Sequence, residues 1–231
     1  MSMEDESSMK SAIAMVEAWT KANSQPLVAL INNAGISFSM PVEFVPLDRM
    51  RHLFEVNVFG LVRITQLALP MLRRSHGRVV VVGSVAGVIS TPFHGIYAAS
   101  KFALEALVDA MRLELSPYGV AVVMVEPGYV QTAIGEKGLS HDQPFRHATK
   151  EQKSIYPHFF NSQEHMRREH FFNVPLPNVT TTPAIVDSIV SATPRARYVV
   201  AGVGVMPASI AVRILSFVPT PFRDYLVETL R

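Results

Sequence analysis

Three short apolar runs constrain this chain more than any other feature. Residues 27–31 read LVALI, residues 78–83 read RVVVVG and residues 120–125 read VAVVMV. None alternates polar with apolar residues, as a strand with one wet face would, so each is expected to be covered on both faces. A fourth run, within ARYVVAG, gives a last strand over 197–201. Helical patterns separate the runs. Residues 9–23 carry Ala12, Ile13, Val16 and Trp19 after the caps Ser7 and Ser8, and residues 48–74 carry Phe54, Val58, Leu61, Ile64, Leu67 and Leu72. Residues 98–115 and 183–192 complete the set. Strands joined by helices predict an α/β fold, a three-layer doubly wound parallel sheet.

At 231 residues the chain is long enough for one such domain and its core. With 48% hydrophobic and 17% charged residues it reads as globular, and a net charge of +2 without basic runs argues against nucleic acid as a partner. There is no cysteine, which excludes disulfides, thiolate nucleophiles and Cys-ligated metals and suits a cytoplasmic location. The start, MSMEDESSMKS, is acidic and polar, unlike a secretory leader. Residues 198–219 come nearest to a membrane span but are interrupted by Pro207, Arg213 and glycines. A buried strand followed by an apolar helix is favoured there over a segment lying on a membrane. His165 and His170 stand five apart, a poor metal spacing on a helix, and no HExxH occurs, so no metal is expected.

The chemistry concentrates between Ser84 and Lys101. Tyr97 and Lys101 are four apart and share a helical face, and Ser84 closes the second strand at the sheet's carboxyl end, where open α/β sheets bind ligands. A phenol with an ordinary pKa near 10 needs about 4 kcal/mol of differential stabilisation to titrate near 7. An ammonium about 4 Å away supplies roughly that at an effective dielectric near 20. Lys101 is therefore expected to depress the Tyr97 pKa, Tyr97 to move a proton at a substrate oxygen, and Ser84 to hold that oxygen. Taken alone, Y-x-x-x-K also arises on any amphipathic helix. His94 is read as a substrate-loop residue rather than the base.

Three further motifs stand around this stretch: LINNAG at 30–35, VNVFG at 56–60 and PGYVQT at 127–132. In order and spacing the set resembles the short-chain dehydrogenase/reductase family. The resemblance implies a Rossmann-like fold and catalytic roles for Asn57, Ser84, Tyr97 and Lys101. A core Asn bonded to backbone would read the same as Asn57, and 32–35 would also serve as an ordinary turn. It implies NAD or NADP held by Asn33, Ala34, Gly35, Tyr97, Lys101, Pro127, Gly128, Val130 and Thr132. The region 133–182, with Phe159/Phe160 and Phe171/Phe172, corresponds to a substrate lid, and its aromatics favour a small apolar alcohol or ketone. ARYVVAG and the tail PFRDYLVETLR look like members acting on steroids and retinoids.

Within this single domain, 1–8 is a polar start, 9–132 the partial Rossmann core, and 183–231 the last helix, last strand and apolar tail. The family's opening strand and Gly-rich turn have no counterpart, so the fold is expected to be N-terminally truncated. Dinucleotide affinity is then expected to be weak, the choice between NAD and NADP is not readable, and the 27–31 strand becomes an exposed apolar edge. A homo-oligomer through the helices bearing Asn57 and Tyr97 is expected. Two readings follow: an oxidoreductase, or a non-catalytic truncated product or incomplete gene model that associates with a full-length relative.

Overall fold

The computed structural model describes residues 1–132, 134, 144–160, 174–203 and 206–229. In chain order the elements are α1 (Glu6–Asn23), β1 (Ala29–Asn32), α2 (Leu47–Phe54), α3 (Gly60–Ser75), β2 (Arg78–Val82), α4 (Gly95–Leu115), β3 (Ala121–Pro127), α5 (Lys150–Ile155), α6 (Thr181–Val190), β4 (Arg197–Val200), β5 (Gly202–Val203), β6 (Met206–Pro207), α7 (Ala208–Phe217) and α8 (Thr220–Thr229). Strands β1 to β4 form one parallel sheet in sequence order. Its register sets Ala29 beside Arg78, Arg78 beside Ala121, and Met124 beside Arg197.

Side chains alternate across a strand, and here both faces are covered. Val79, Val81, Val122 and Met124 pack against Leu61, Ala68 and Leu72 of α3 and Leu104 and Val108 of α4. On the other face Val80, Val123 and Val125 meet Ala184, Ile185 and Ile189 of α6. This two-sided burial explains the unbroken apolar runs 79–82 of β2 and 121–125 of β3. The sheet edge at β1 is different. Ile31 pairs with Val80, yet Ile31 is 43% exposed and Val80 0%, because α6 packs over β2, β3 and β4. The expected exposed apolar edge is present.

Residues 47–75 are helical throughout, with one difference from the single α-helix expected over 48–74. Glu55–Phe59 forms a π-turn between α2 and α3. Such a turn holds one residue more than an α-turn and recurs at functional sites. Here it reconciles two cores: Leu53 before it packs with Phe38, Met40 and Phe159, whereas Leu61 after it packs on the sheet. The buried Asn57 lies inside the widened turn. The same helical run is long and apolar enough to cross a membrane by composition, but Leu53, Leu61, Ala68 and Leu72 on it belong to these cores.

Helix α1 starts earlier than expected, since Asp5 rather than Ser7 or Ser8 caps it, accepting from the Ser7 amide at 2.8 Å. Met9 is buried and Ile13 packs on the sheet-side core, which fixes α1 against α3. Ion pairs Glu6–Arg63 (2.6 Å) and Glu17–Arg74 (3.6 Å) line the seam but are exposed and screened. The glycine of VNVFG has a packing reason: a Cβ on Gly60 would lie 2.3 Å from the Met3 carbonyl oxygen.

Candidate active site

The carboxyl ends of β1, β2 and β3 bring the expected residues to one place. Ser84 follows β2 in extended backbone and starts a short turn, Val85–Gly87, its hydroxyl accepting from the Ala86 amide at 3.1 Å. The same hydroxyl makes a long 3.5 Å hydrogen bond to the Pro127 carbonyl at the end of β3 and lies beside the Tyr97 hydroxyl, whose pKa it pulls down. One turn further along α4, the buried Lys101 donates from Nζ to the Val82 carbonyl at 3.1 Å and lies 5.7 Å from the centroid of the Tyr97 ring. The spacing read from sequence thus assembles Ser84, Tyr97 and Lys101.

The electrostatics differ from the expectation. Burial pushes the Tyr97 phenol above its usual value, and the Ser84 hydroxyl only partly opposes this. Lys101 does not depress it. Its own ammonium is desolvated, which lowers its pKa to about 8 against the favourable charge of Glu105. The 4 Å ammonium–phenolate contact assumed from helical spacing overstates the effect, because Nζ is drawn aside to a strand carbonyl.

Asn57 is held on three sides. Its Oδ1 accepts from the Ile36 amide at 2.8 Å, and its Nδ2 donates to the Ile36 carbonyl at 3.0 Å and to Ser100 Oγ at 3.1 Å. The amide therefore stitches the loop after β1 to α4. Gly35 lies against it: a Cβ there would be 3.5 Å from Asn57 Oδ1 and 4.0 Å from Lys101 Nζ. Asn33 and Ala34 are exposed beside it at the end of β1. Sequence reasoning missed Asn32, which is buried and donates to Thr65 Oγ1 at 2.9 Å. It also missed Ser100, whose hydroxyl donates to the Tyr97 carbonyl at 2.7 Å. A small polar residue beside Lys101 on an apolar helix was the available signal.

The segment after β3 is pinned by backbone. Gly128 donates to Val200, Tyr129 to Gly202 and Gln131 to Pro175, at 2.9, 2.8 and 3.0 Å. A Cβ on Gly128 would sit 2.2 Å from the Gly202 carbonyl oxygen, so only glycine fits. Val130 and Thr132 lie on this pinned, half-buried stretch, and Pro127 ends β3 at the Ser84 hydroxyl. His94 has hydroxyl partners on both ring nitrogens, Ser39 at 2.8 Å and Thr91 at 3.4 Å.

An aromatic wall closes the side of the site. Phe93 stacks at 4.2 Å on Phe159, which meets Phe145 and Phe160, while Tyr156 packs edge-on against Phe44 and Phe93. Tyr97 packs against this cluster. Of the lid residues singled out from sequence, His165, His170, Phe171 and Phe172 lie outside the described residues.

Residues 1–143 match the family model described as short chain dehydrogenase. The chain is 35% identical over 193 residues to the NADPH-dependent 3-dehydrocapnine reductase of Ornithobacterium rhinotracheale, covering 81% of this chain and 66% of the reductase. It is 30% identical over 223 residues to human 17-beta-hydroxysteroid dehydrogenase type 6, covering 94% of this chain and 69% of that enzyme. A gluconate 5-dehydrogenase from Burkholderia cenocepacia, solved in complex with NADP and tartrate, superposes with a TM-score of 0.53 at 27% identity, over 58% of this chain and 52% of that one. The chain spans two thirds or less of the length of the first relatives it matches. With its parallel sheet, its Ser84–Tyr97–Lys101 cluster and these matches, the chain belongs to the short-chain dehydrogenase family.

Proposed function

We propose that this chain carries the reacting half of an NAD(P)-dependent oxidoreductase that interconverts an alcohol and a carbonyl on an apolar substrate of steroid or retinoid type. The observation that supports it most is the placing of the Ser84 and Tyr97 hydroxyls side by side near a buried lysine at the sheet's carboxyl end. A phenol raised above its usual value stays protonated at neutral pH, so Tyr97 is suited to donate a proton to the oxygen of a carbonyl being reduced. Ser84 holds that oxygen, and Asn57 and Lys101 keep the loop and helix in register around it. The aromatic wall of Phe93, Tyr156 and Phe159 offers apolar surface to the substrate.

A nicotinamide dinucleotide, when bound, supplies or accepts the hydride. The small, accessible residues Asn33, Ala34 and Gly35, with Pro127, Gly128, Val130 and Thr132, fit its ribose and nicotinamide portions, together with Tyr97 and Lys101. No Gly-rich turn that would grip the pyrophosphate occurs in this sequence, so no residue is assigned to that portion. Phe59 in the π-turn and Phe102 and Leu113 on α4 are exposed and support association of copies through these helices in the cytoplasm.

The test is consumption of NADPH and NADH with a ketosteroid or retinal as acceptor. Tyr97→Phe is expected to lower turnover by about 10²- to 10⁴-fold, the usual contribution of a positioned acid. Undiminished turnover in that variant would refute the assignment.

A further inference from the structure

One group of charged side chains behind the site has no role so far. Arg197, at the start of β4, donates from Nη1 to Glu105 Oε2 and to Glu126 Oε1, the latter at 2.8 Å, and from Nη2 to Asp109 Oδ2 at 2.8 Å. Three carboxylates thus share one guanidinium. The cluster runs outward from Glu126 on β3, whose side chain is 2% exposed, to Asp109, which is 48% exposed.

Glu105 stands at its centre and is half-satisfied. Its Oε2 meets Arg197, while its buried Oε1 has no hydrogen-bond partner among the described residues. That free oxygen faces Gly87, where a Cβ would lie 2.9 Å away. Gly87 ends the turn that Ser84 begins. On its other side Glu105 is one helical turn from Lys101, and its charge favours the Lys101 ammonium against burial. Glu105 therefore touches the backbone that presents Ser84 and acts on the group beneath Tyr97.

At the exposed end Arg112 also answers Asp109, at 3.4 Å, whereas the two inner carboxylates, Glu105 and Glu126, share Arg197. Glu105, with one buried oxygen unpartnered among the described residues, is the member placed to take a proton. Burial raises its carboxyl to about 7, and the neighbouring Glu126 and then Asp109 push the same way, while Arg197 pulls against them. Burial opposes the Arg197 charge too, but Glu126 and Glu105 outweigh it and keep the guanidinium firmly ionised.

We propose that Glu105 is a positioning residue for the reaction, whose protonation state sets the charge of Lys101 and, through the Gly87 turn, the seat of Ser84. Its place in turnover rests on the reading of Ser84, Tyr97 and Lys101 as the reacting groups; its coupling to Lys101 does not. The proton it gains or loses exchanges with water at the exposed Asp109 end. With Glu105 ionised, the Lys101 ammonium is held to higher pH. With Glu105 protonated, that support is withdrawn.

The coupling is read directly by carbon NMR on chain labelled at the lysine ε-carbons, of which the sequence has six, at Lys10, Lys21, Lys101, Lys137, Lys150 and Lys153. Loss of one signal in Lys101→Met assigns Lys101. In the wild-type chain the Lys101 signal should titrate near 8 with a second inflection near 7 contributed by Glu105. In Glu105→Gln the lower inflection should vanish and the midpoint should fall by about one pH unit, the effect of removing an opposite charge at close range. A wild-type curve with one step, or an unmoved midpoint in Glu105→Gln, overturns the proposal. The wild-type curve decides alone if that variant does not fold. Turnover that ignores Tyr97→Phe beside a two-step Lys101 curve would defeat the reaction assignment and leave the coupling standing.

Discussion

Removal of the Asn57 side chain is the most informative single perturbation of this site. In Asn57→Ala three hydrogen bonds go at once, two to the Ile36 backbone and one to Ser100. Ser100 keeps its bond to the Tyr97 carbonyl and loses little. The Ile36 amide and carbonyl lose these partners at a part-buried position, at about 1–3 kcal/mol each, so the cost is about 2–6 kcal/mol and centres near 4. That is a large share of a typical domain stability of about 5–15 kcal/mol. The assay is urea denaturation followed by circular dichroism, with amide exchange of Ile36 as the local readout. Asn57→Asp sharpens the test. At neutral pH its carboxylate can accept from the Ile36 amide but cannot donate to the carbonyl, and it is charged in a buried place. Its folded pKa is then raised, the native state binds the extra proton, and stability should fall as pH rises from about 4 toward that folded value. A loss below about 1 kcal/mol in Asn57→Ala, with Ile36 exchange unchanged, would refute the idea that this amide ties the loop to the helix.

Two other outcomes follow from the same geometry. Burial holds Lys101 at about 8, well below its ordinary 10.5, a gap worth about 3 kcal/mol. Since the folded pKa is the lower one, the cost is fully present below pH 8 and fades as pH rises toward 10.5; Lys101→Met should therefore raise the urea midpoint at pH 7, by less at pH 10, while abolishing turnover. An equal or lower midpoint at pH 7 would contradict this. At the sheet edge, Ile31→Lys places a charge on the exposed side of β1 and should shift the chain toward smaller species in light scattering, the usual effect of a lysine on an open strand; unchanged particle size would show that association runs through another surface.

Much of the fold was legible because β2 and β3 are buried on both faces, and two-sided burial writes itself as unbroken apolar sequence. The meeting of Ser84, Tyr97 and Lys101 was legible too, since a strand end and a helical spacing of four fix it locally. What distant chain segments decide was not. The π-turn leaves the apolar stripe of residues 48–74 looking continuous, and only the separate cores around Leu53 and Leu61 reveal the shift. The raised Tyr97 phenol comes from burial beside the cluster of Phe38, Leu53, Phe145 and Phe159, which no pairwise spacing encodes. Glu105 stood four residues after Lys101 in plain view, but its partner Arg197 is 92 positions away.

The surplus residue in the π-turn has a consequence for how this chain tolerates change. An α-helix advances about 100° per residue, so the bulge sets the angular phase of everything after it. With the surplus residue in place, Leu61, Ala68 and Leu72 face the sheet only because the bulge absorbs it. A substitution at Asn57 strips the loop after β1 of its partners, whereas loss of one residue between 55 and 59 would close the bulge to an ordinary α-turn and leave the apolar side of α3 on the sheet. The identity of Asn57, more than the length of the turn, is what this segment must keep.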